Sequence, residues 1–162
     1  MANAYYGHTI LGELADGLSV PTDGNPDNCT QMVHVGKETG GNLWMYIYCN
    51  AAIAVASGEE FLIQFVSYSS DTIGSATSPF SNSNAGGQPN ASGTAEADAL
   101  CYPVYNTSAQ GAVAWSAGDL ILEFGIPDTM LRLLGHTYVG FTVECDDSDG
   151  TGKLDAFVVA RV

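Results

Sequence analysis

The sequence predicts an all-β protein, and both its composition and its hydrophobic pattern support this. Only 14% of the 162 residues are charged, against about 25% in average globular proteins, and 19 residues are glycine. Helical bundles need Glu, Lys and Arg on their surfaces, so this composition suits strands joined by turns better. Hydrophobic residues make up 46% of the chain, which is enough to give a single domain over residues 1–162 its own core.

Five segments carry the strongest strand signals: residues 43–49, 61–66, 119–124, 137–145 and 153–160. In the first four, residues two apart form one apolar face with the period of two that strands show, and the fifth is rich in β-branched and small residues. Weaker strands are expected at residues 5–11, 32–35, 100–105 and 112–115. About eight or nine short strands separated by turns predict a β-sandwich, a jelly roll or a barrel.

The inward faces of these strands predict a core that two sheets share: Met45, Ile47, Ile63, Phe65, Leu120, Leu122, Phe141, Val143 and Val158. The strand at 43–49 is apolar on both faces, because Trp44, Tyr46 and Tyr48 alternate with its core residues. Such a strand is expected in the middle of a sandwich or against a partner. The one candidate helix, residues 128–134, is short and starts with Asp128, a residue type that favours helix N-caps.

Two stretches do not fit a compact sandwich. Residues 13–31 contain Pro21, Pro26, three Asp and two Gly, which predicts that 1–31 is a partly extended N-terminal arm. Residues 71–99 form a long loop of Gly, Ser, Ala, Asn and Thr, in which Ile73 and Phe80 are the only large apolar side chains. Structureless loops beyond about 12–15 residues are usually functional or disordered. This loop is either a surface excursion or a segment that orders on a neighbouring subunit through Phe80.

The net charge of −14 excludes two classes of partner. Eighteen acidic residues face only four basic ones: Lys37, Arg132, Lys153 and Arg161. Phosphate groups and anionic lipids repel such a chain, so we expect no nucleic-acid partner and no membrane partner. The start of the chain lacks the features of a targeting segment, and no apolar stretch approaches the roughly 20 residues that span a bilayer. We therefore expect the chain to fold where it is made.

The sequence carries no recognisable catalytic or cofactor motif, so we expect a protein that is not an enzyme and holds no cofactor. The histidines, His8, His34 and His136, have no flanking motif. The four cysteines could form two disulfides, but without a secretory signal we expect free thiols, with Cys49 and Cys145 buried in strands. Residues 146–150 (DDSDG) cluster carboxylates as calcium sites do, but they fail the EF-hand spacing and are expected to form a turn.

The C-terminal part of the chain carries a series of short motifs in a characteristic order: AGDL at 117–120, FGIP at 124–127, MLRLL at 130–134, YVGF at 138–141 and GKLDAFVV at 152–159. This series resembles the end of the capsid cement (decoration) proteins of short-tailed double-stranded DNA phages, whose pattern has a strand around the position of Arg132. The resemblance implies a jelly-roll-like β-sandwich that binds the outer capsid surface of the virion across adjacent subunits of the major capsid protein. It also implies synthesis in the host cytoplasm.

The expected interface residues are Trp44, Tyr46, Tyr48 and Phe80. With a symmetric capsid site, we expect the protein to bind itself as well as the capsid, as a homodimer first and as a homotrimer second. The alternative is a carbohydrate- or receptor-binding β-sandwich of a phage tail fibre, in which aromatic rings stack on sugars. Two or more exposed, coplanar aromatic rings beside polar groups would favour that alternative.

Overall fold

The computed structural model describes residues 8–24, 27–36, 42–69, 100–107, 111–147 and 151–161. This part of the chain contains eleven strands and one helix: β1 His8–Ser19, β2 Asp27–Asn28, β3 Val33–His34, β4 Leu43–Ala51, β5 Ile53–Val55, β6 Phe61–Tyr68, β7 Leu100–Asn106, β8 Val113–Trp115, β9 Leu120–Gly125, α1 Asp128–Leu134, β10 Tyr138–Cys145 and β11 Lys153–Arg161. The prediction of an all-β sandwich is confirmed. The predicted loop at 71–99, with Phe80, lies outside the described residues.

Two antiparallel sheets form the sandwich. Sheet A has the order β1-β11-β4-β9, and sheet B has the order β2-β10-β6-β7, with β3 also pairing with β10. Phe124 of sheet A contacts both Phe65 and Tyr102 of sheet B, with ring centroids 5.2 and 6.2 Å apart. The short pair β5–β8 closes one end, where Trp115 packs on Phe61 at 5.2 Å. The core therefore lies between the two sheets.

Most of the predicted core is confirmed. Seven of the nine predicted residues have no exposed surface: Met45, Ile47, Ile63, Phe65, Phe141, Val143 and Val158. Leu122 is half-buried against this core, but Leu120 is 45% exposed, so its prediction is wrong. The cause is a β-bulge, since Ile47 pairs with Leu122 and the next residue of β4, Tyr48, pairs with Leu120. The extra residue, Ile121, is the one that turns inward, and it is 8% exposed.

The described residues of the predicted N-terminal arm belong to the two sheets, and the start of β1 overlaps the weaker strand predicted at residues 5–11. Strand β1 is twelve residues long and pairs with β11, and β2 pairs with β10. Leu14 and Ala15 are 0% and 1% exposed, which makes this strand part of the core. Three register shifts interrupt the pairing of β1, so its inward residues do not follow the period of two that reveals a strand in a sequence.

The predicted helix is confirmed as α1, but its start differs in detail. Pro127 occupies the N-cap position, and Asp128 lies in the first turn and forms an ion pair of 2.8 Å with Arg132. Gly135 ends the helix in the left-handed conformation, with φ of 71°. The strand that the family pattern implies around Arg132 is therefore absent, because this segment is helical.

Candidate interaction surface

The outward face of sheet A carries a row of aromatic side chains. Strand β4 alternates strictly between buried and half-buried residues from Leu43 to Cys49, so Trp44, Tyr46 and Tyr48 point away from the core. Phe157 of β11 lies directly opposite Tyr46 on the same face and is also half-buried. We call these four residues the aromatic face. The prediction that the three β4 aromatics share one face, opposite the core residues, is confirmed.

Arg161 lies across one end of the aromatic face. Its guanidinium carbon is 3.7 Å from the centroid of the Trp44 ring and 5.5 Å from that of Tyr46, which are distances of cation–π contacts. The same guanidinium forms an ion pair with Glu123 of β9 and donates to the hydroxyl oxygen of Tyr46. The positive charge of Arg161 and the negative charge of Glu123 cancel, so this end of the aromatic face is close to uncharged. Arg161 is one of only four basic residues in the chain.

The other end of the aromatic face is polar. Tyr46 and Tyr48 have nearly parallel rings, with an interplanar angle of 15° and centroids 6.3 Å apart. Next to Tyr48 across the strands, the Asp155 carboxylate accepts hydrogen bonds from the Asn50 amide at 2.9 Å and from the Gly17 backbone N–H at 2.8 Å. Aromatic rings bordered by hydrogen-bonding groups can bind either a protein surface or a sugar ring.

The acidic residues beside β10 and β6 form a separate cluster, which includes Asp146 and Asp147 of the predicted turn. Asp146 accepts the Glu60 backbone N–H at 2.5 Å, and Asp147 accepts that of Ala56 at 2.8 Å. The carboxylate of Asp146 raises the pKa of Glu59, and burial raises the pKa of Glu144. Within the described part of the chain, no three His, Cys, Asp or Glu side chains are placed to hold a metal ion. The rest of the predicted turn, residues 148–150, lies outside the described residues.

His136 and Ser67 form a buried hydrogen-bonded pair, with 2.8 Å between the serine Oγ and the histidine Nδ1. Such a pair resembles part of a hydrolase site, but Ser67 is 0% exposed and His136 is 6% exposed. A serine nucleophile must reach its substrate, so this pair is part of the core packing in the structure described here. His34, by contrast, is exposed and contacts the edge of the Tyr138 ring at 4.9 Å.

All four cysteines are buried and unpaired, as predicted for Cys49 and Cys145. Burial raises the pKa of Cys29 and of Cys101 to about 12, and it also raises the pKa of Cys49 and Cys145. Because the thiolate is the reactive form, these side chains are inert while the protein is folded.

Thiol titration tests this arrangement directly. Under non-reducing conditions we expect a thiol reagent to modify four cysteines per chain after denaturation and almost none in the native protein. The same titration at pH 9 should remain slow in the native protein, since the pKa values are raised. Finding two thiols or none after denaturation would show that disulfides form.

Among the residues that the structure describes, no helix has the length and apolar character needed to cross a membrane. Of the four expected interface residues, three lie together on the aromatic face, whereas Phe80 lies outside the described residues. Sequence reasoning missed Arg161, Glu123 and Phe157, which other strands bring to this face. No family model, no curated protein and no solved structure matches the chain.

Proposed function

We propose that this chain is a virion structural protein, a capsid cement protein that binds the outer surface of an icosahedral head and stabilises contacts between major capsid protein subunits. The observation that carries the proposal is the aromatic face: four aromatic side chains stand half-buried on the two central strands of sheet A. Aromatic residues are enriched in the buried centres of protein interfaces, where they contribute much of the binding energy.

We propose further that the sandwich is a jelly roll. Along the chain, β1, β4, β9 and β11 belong to sheet A, and the strands between them belong to sheet B or to the end pair β5–β8. The chain therefore crosses repeatedly between the sheets, as it does in a double-sheet jelly roll. This connectivity agrees with the fold that the motif series in residues 117–159 implies.

The charge distribution supports a protein partner with a basic or mixed surface. The chain has a net charge of −14. At the aromatic face itself, the charges of Arg161 and Glu123 cancel, so little charge has to be removed from water when this face is covered. Long-range attraction would then bring the protein to a basic surface, and apolar contacts would hold it there. Linking several capsid subunits raises the effective concentration of each contact, so modest contacts sum to firm retention under the pressure of packaged DNA.

Mass spectrometry of purified virions tests the proposal. We expect a copy number close to that of the major capsid protein, whereas a few copies per particle would indicate a tail component. Purified protein should also co-sediment with expanded heads that lack it. Tyr48→Ala on the aromatic face should weaken this binding at least about tenfold, which is about 1.4 kcal/mol. Tyr138→Ala, at a half-buried tyrosine of sheet B, is the matched control and should bind like the parent.

A carbohydrate-binding module of a tail fibre is the second candidate, and one observation favours it. The Tyr46 and Tyr48 rings are nearly parallel and lie beside the amide of Asn50 and the carboxylate of Asp155. Such a surface can stack on a sugar ring and bind its hydroxyls. Binding to a glycan array that Tyr48→Ala abolishes would support this candidate, and tight co-sedimentation with heads would exclude it in favour of the capsid.

A further inference from the structure

We infer that the free edge of β9 is a pairing site for a second copy of this chain, so that two sheets A join across a two-fold axis. This inference goes beyond the proposed function and does not rest on it. It starts from the four lateral edges of the sandwich, because an unpaired strand edge presents backbone N–H and C=O groups to any neighbouring strand.

Three of the four edges are blocked within the described residues. Strand β1 has three register shifts, and Gln31 bonds to its free carbonyls, with 3.2 Å to Leu14 O and 2.7 Å to Glu13 O. Strands β2 and β3 are only two residues long each. Strand β7 contains Pro103, which has no N–H to donate. Short strands, bulges and proline are the devices by which proteins protect sheet edges.

Among the residues that the structure describes, nothing protects strand β9 in this way beyond its first residues. Its bulge lies at Ile121, and the segment from Leu122 to Gly125 pairs regularly with β4. Since Ile126 donates to Leu43 O, the alternation of antiparallel hydrogen bonds directs the N–H and C=O of Glu123 and Gly125 away from β4. Both residues are exposed, which fits an edge that a neighbouring strand can reach.

The residues of β9 are compatible with antiparallel pairing to themselves. If Phe124 lies opposite Phe124 of the second copy, Glu123 lies opposite Gly125 of that copy, and each such pair exchanges two backbone hydrogen bonds. This register keeps the two Glu123 carboxylates from facing each other, and each is already neutralised by Arg161. Gly125 adds no side chain that could collide with the opposing strand.

The same register accounts for the exposed apolar residues at both ends of β9. Leu120, at the start, is 45% exposed, and Met130 and Leu133 of α1, just after the end, are 42% and 83% exposed. Antiparallel pairing brings the start of one β9 towards α1 of the other copy. A shallow concavity lies there, lined by Pro127, Asp128, Thr129, Met130 and Leu133, and it can receive Leu120 of the second copy. Because the dimer is two-fold symmetric, it contains this contact twice.

Sedimentation of the purified full chain tests the inference without capsids. We expect a reversible dimer that tightens at higher salt, since salt screens the repulsion between two chains of charge −14. Glu123→Pro removes a free-edge N–H but leaves the pairing with β4 intact, so it should fold and weaken dimerisation at least about tenfold. Glu123→Ala also loses the carboxylate but keeps the N–H, and its dissociation constant should stay within a few-fold of the parent.

A cross-linking measurement covers the possibility that Glu123→Pro does not fold. Residues opposite each other in a hydrogen-bonded antiparallel pair have Cα atoms about 5.5 Å apart, within the range that a disulfide spans. The double variant Glu123→Cys, Gly125→Cys should form a covalent dimer on mild oxidation, and each single variant should form far less. A parent that stays monomeric at every salt and protein concentration overturns the inference. The inference is also overturned if Glu123→Pro and Glu123→Ala dimerise equally well. A double variant that does not cross-link overturns it too.

Discussion

Replacing Phe141 with alanine is expected to lower the free energy of unfolding by about 3–5 kcal/mol. Phe141 lies on β10, near the middle of sheet B, and its side chain is 0% exposed. It pairs across the strands with Phe65, which is equally buried and packs on Phe124 of sheet A. Deleting the ring therefore removes apolar contacts and leaves a cavity that two paired strands cannot close.

Urea denaturation followed by tryptophan fluorescence measures this loss. Leu134→Ala is a suitable control, because this leucine is 50% exposed and does not line the concavity beside α1, so its truncation should change stability far less than that of Phe141. Since domains of this kind are stable by about 5–15 kcal/mol, the Phe141 variant should retain a cooperative transition at a clearly lower midpoint. A loss below about 1 kcal/mol would mean that the two sheets do not meet at Phe141.

Replacing Gly152 with alanine is expected to destabilise the protein by about 3 kcal/mol or more, from overpacking and backbone strain together. Gly152 precedes β11 and has φ of 149°, a conformation that side-chain-bearing residues rarely adopt. A Cβ added there would lie 2.3 Å from Ile53 Cγ1 and 2.9 Å from the Ala52 carbonyl oxygen. Ile53 is itself 2% exposed, so it has little room to move.

Gly118→Ala separates the two contributions to this effect. Gly118 also has positive φ, 94°, but a Cβ there would meet no atom within 4 Å. Its replacement should therefore cost only the conformational strain, on the order of 1–2 kcal/mol. Thermal unfolding of both variants beside the parent gives the comparison. If both variants lose the same amount of stability, the close packing of Gly152 on Ile53 of β5 does not constrain the start of β11.

The largest part of the fold could be predicted from local pattern. Strand β4 alternates without interruption, so its sequence places Met45 and Ile47 on one face and Trp44 and Tyr46 on the other, as the structure does. The helix at Asp128–Leu134 is also predicted from the sequence, although Pro127 and not Asp128 occupies its N-cap position. Where a strand contains a bulge, this reasoning fails: Leu120 points outward, and the pattern predicts only the start of β1, within residues 5–11, as a strand. A bulge shifts every later side chain to the other face without leaving a clear mark in the sequence.

The all-β class, the acidic charge, the free thiols and the aromatic row of β4 follow from residue types or from the period of two within one strand. Which strands are neighbours, in contrast, depends on the tertiary structure. It brings Arg161 onto Trp44, which is far away in the sequence, and it pairs Glu123 with that arginine. It also places β9 at an edge of sheet A, in the part of the chain that the structure describes. Strand order is set by contacts distant in the chain, which a local pattern cannot encode.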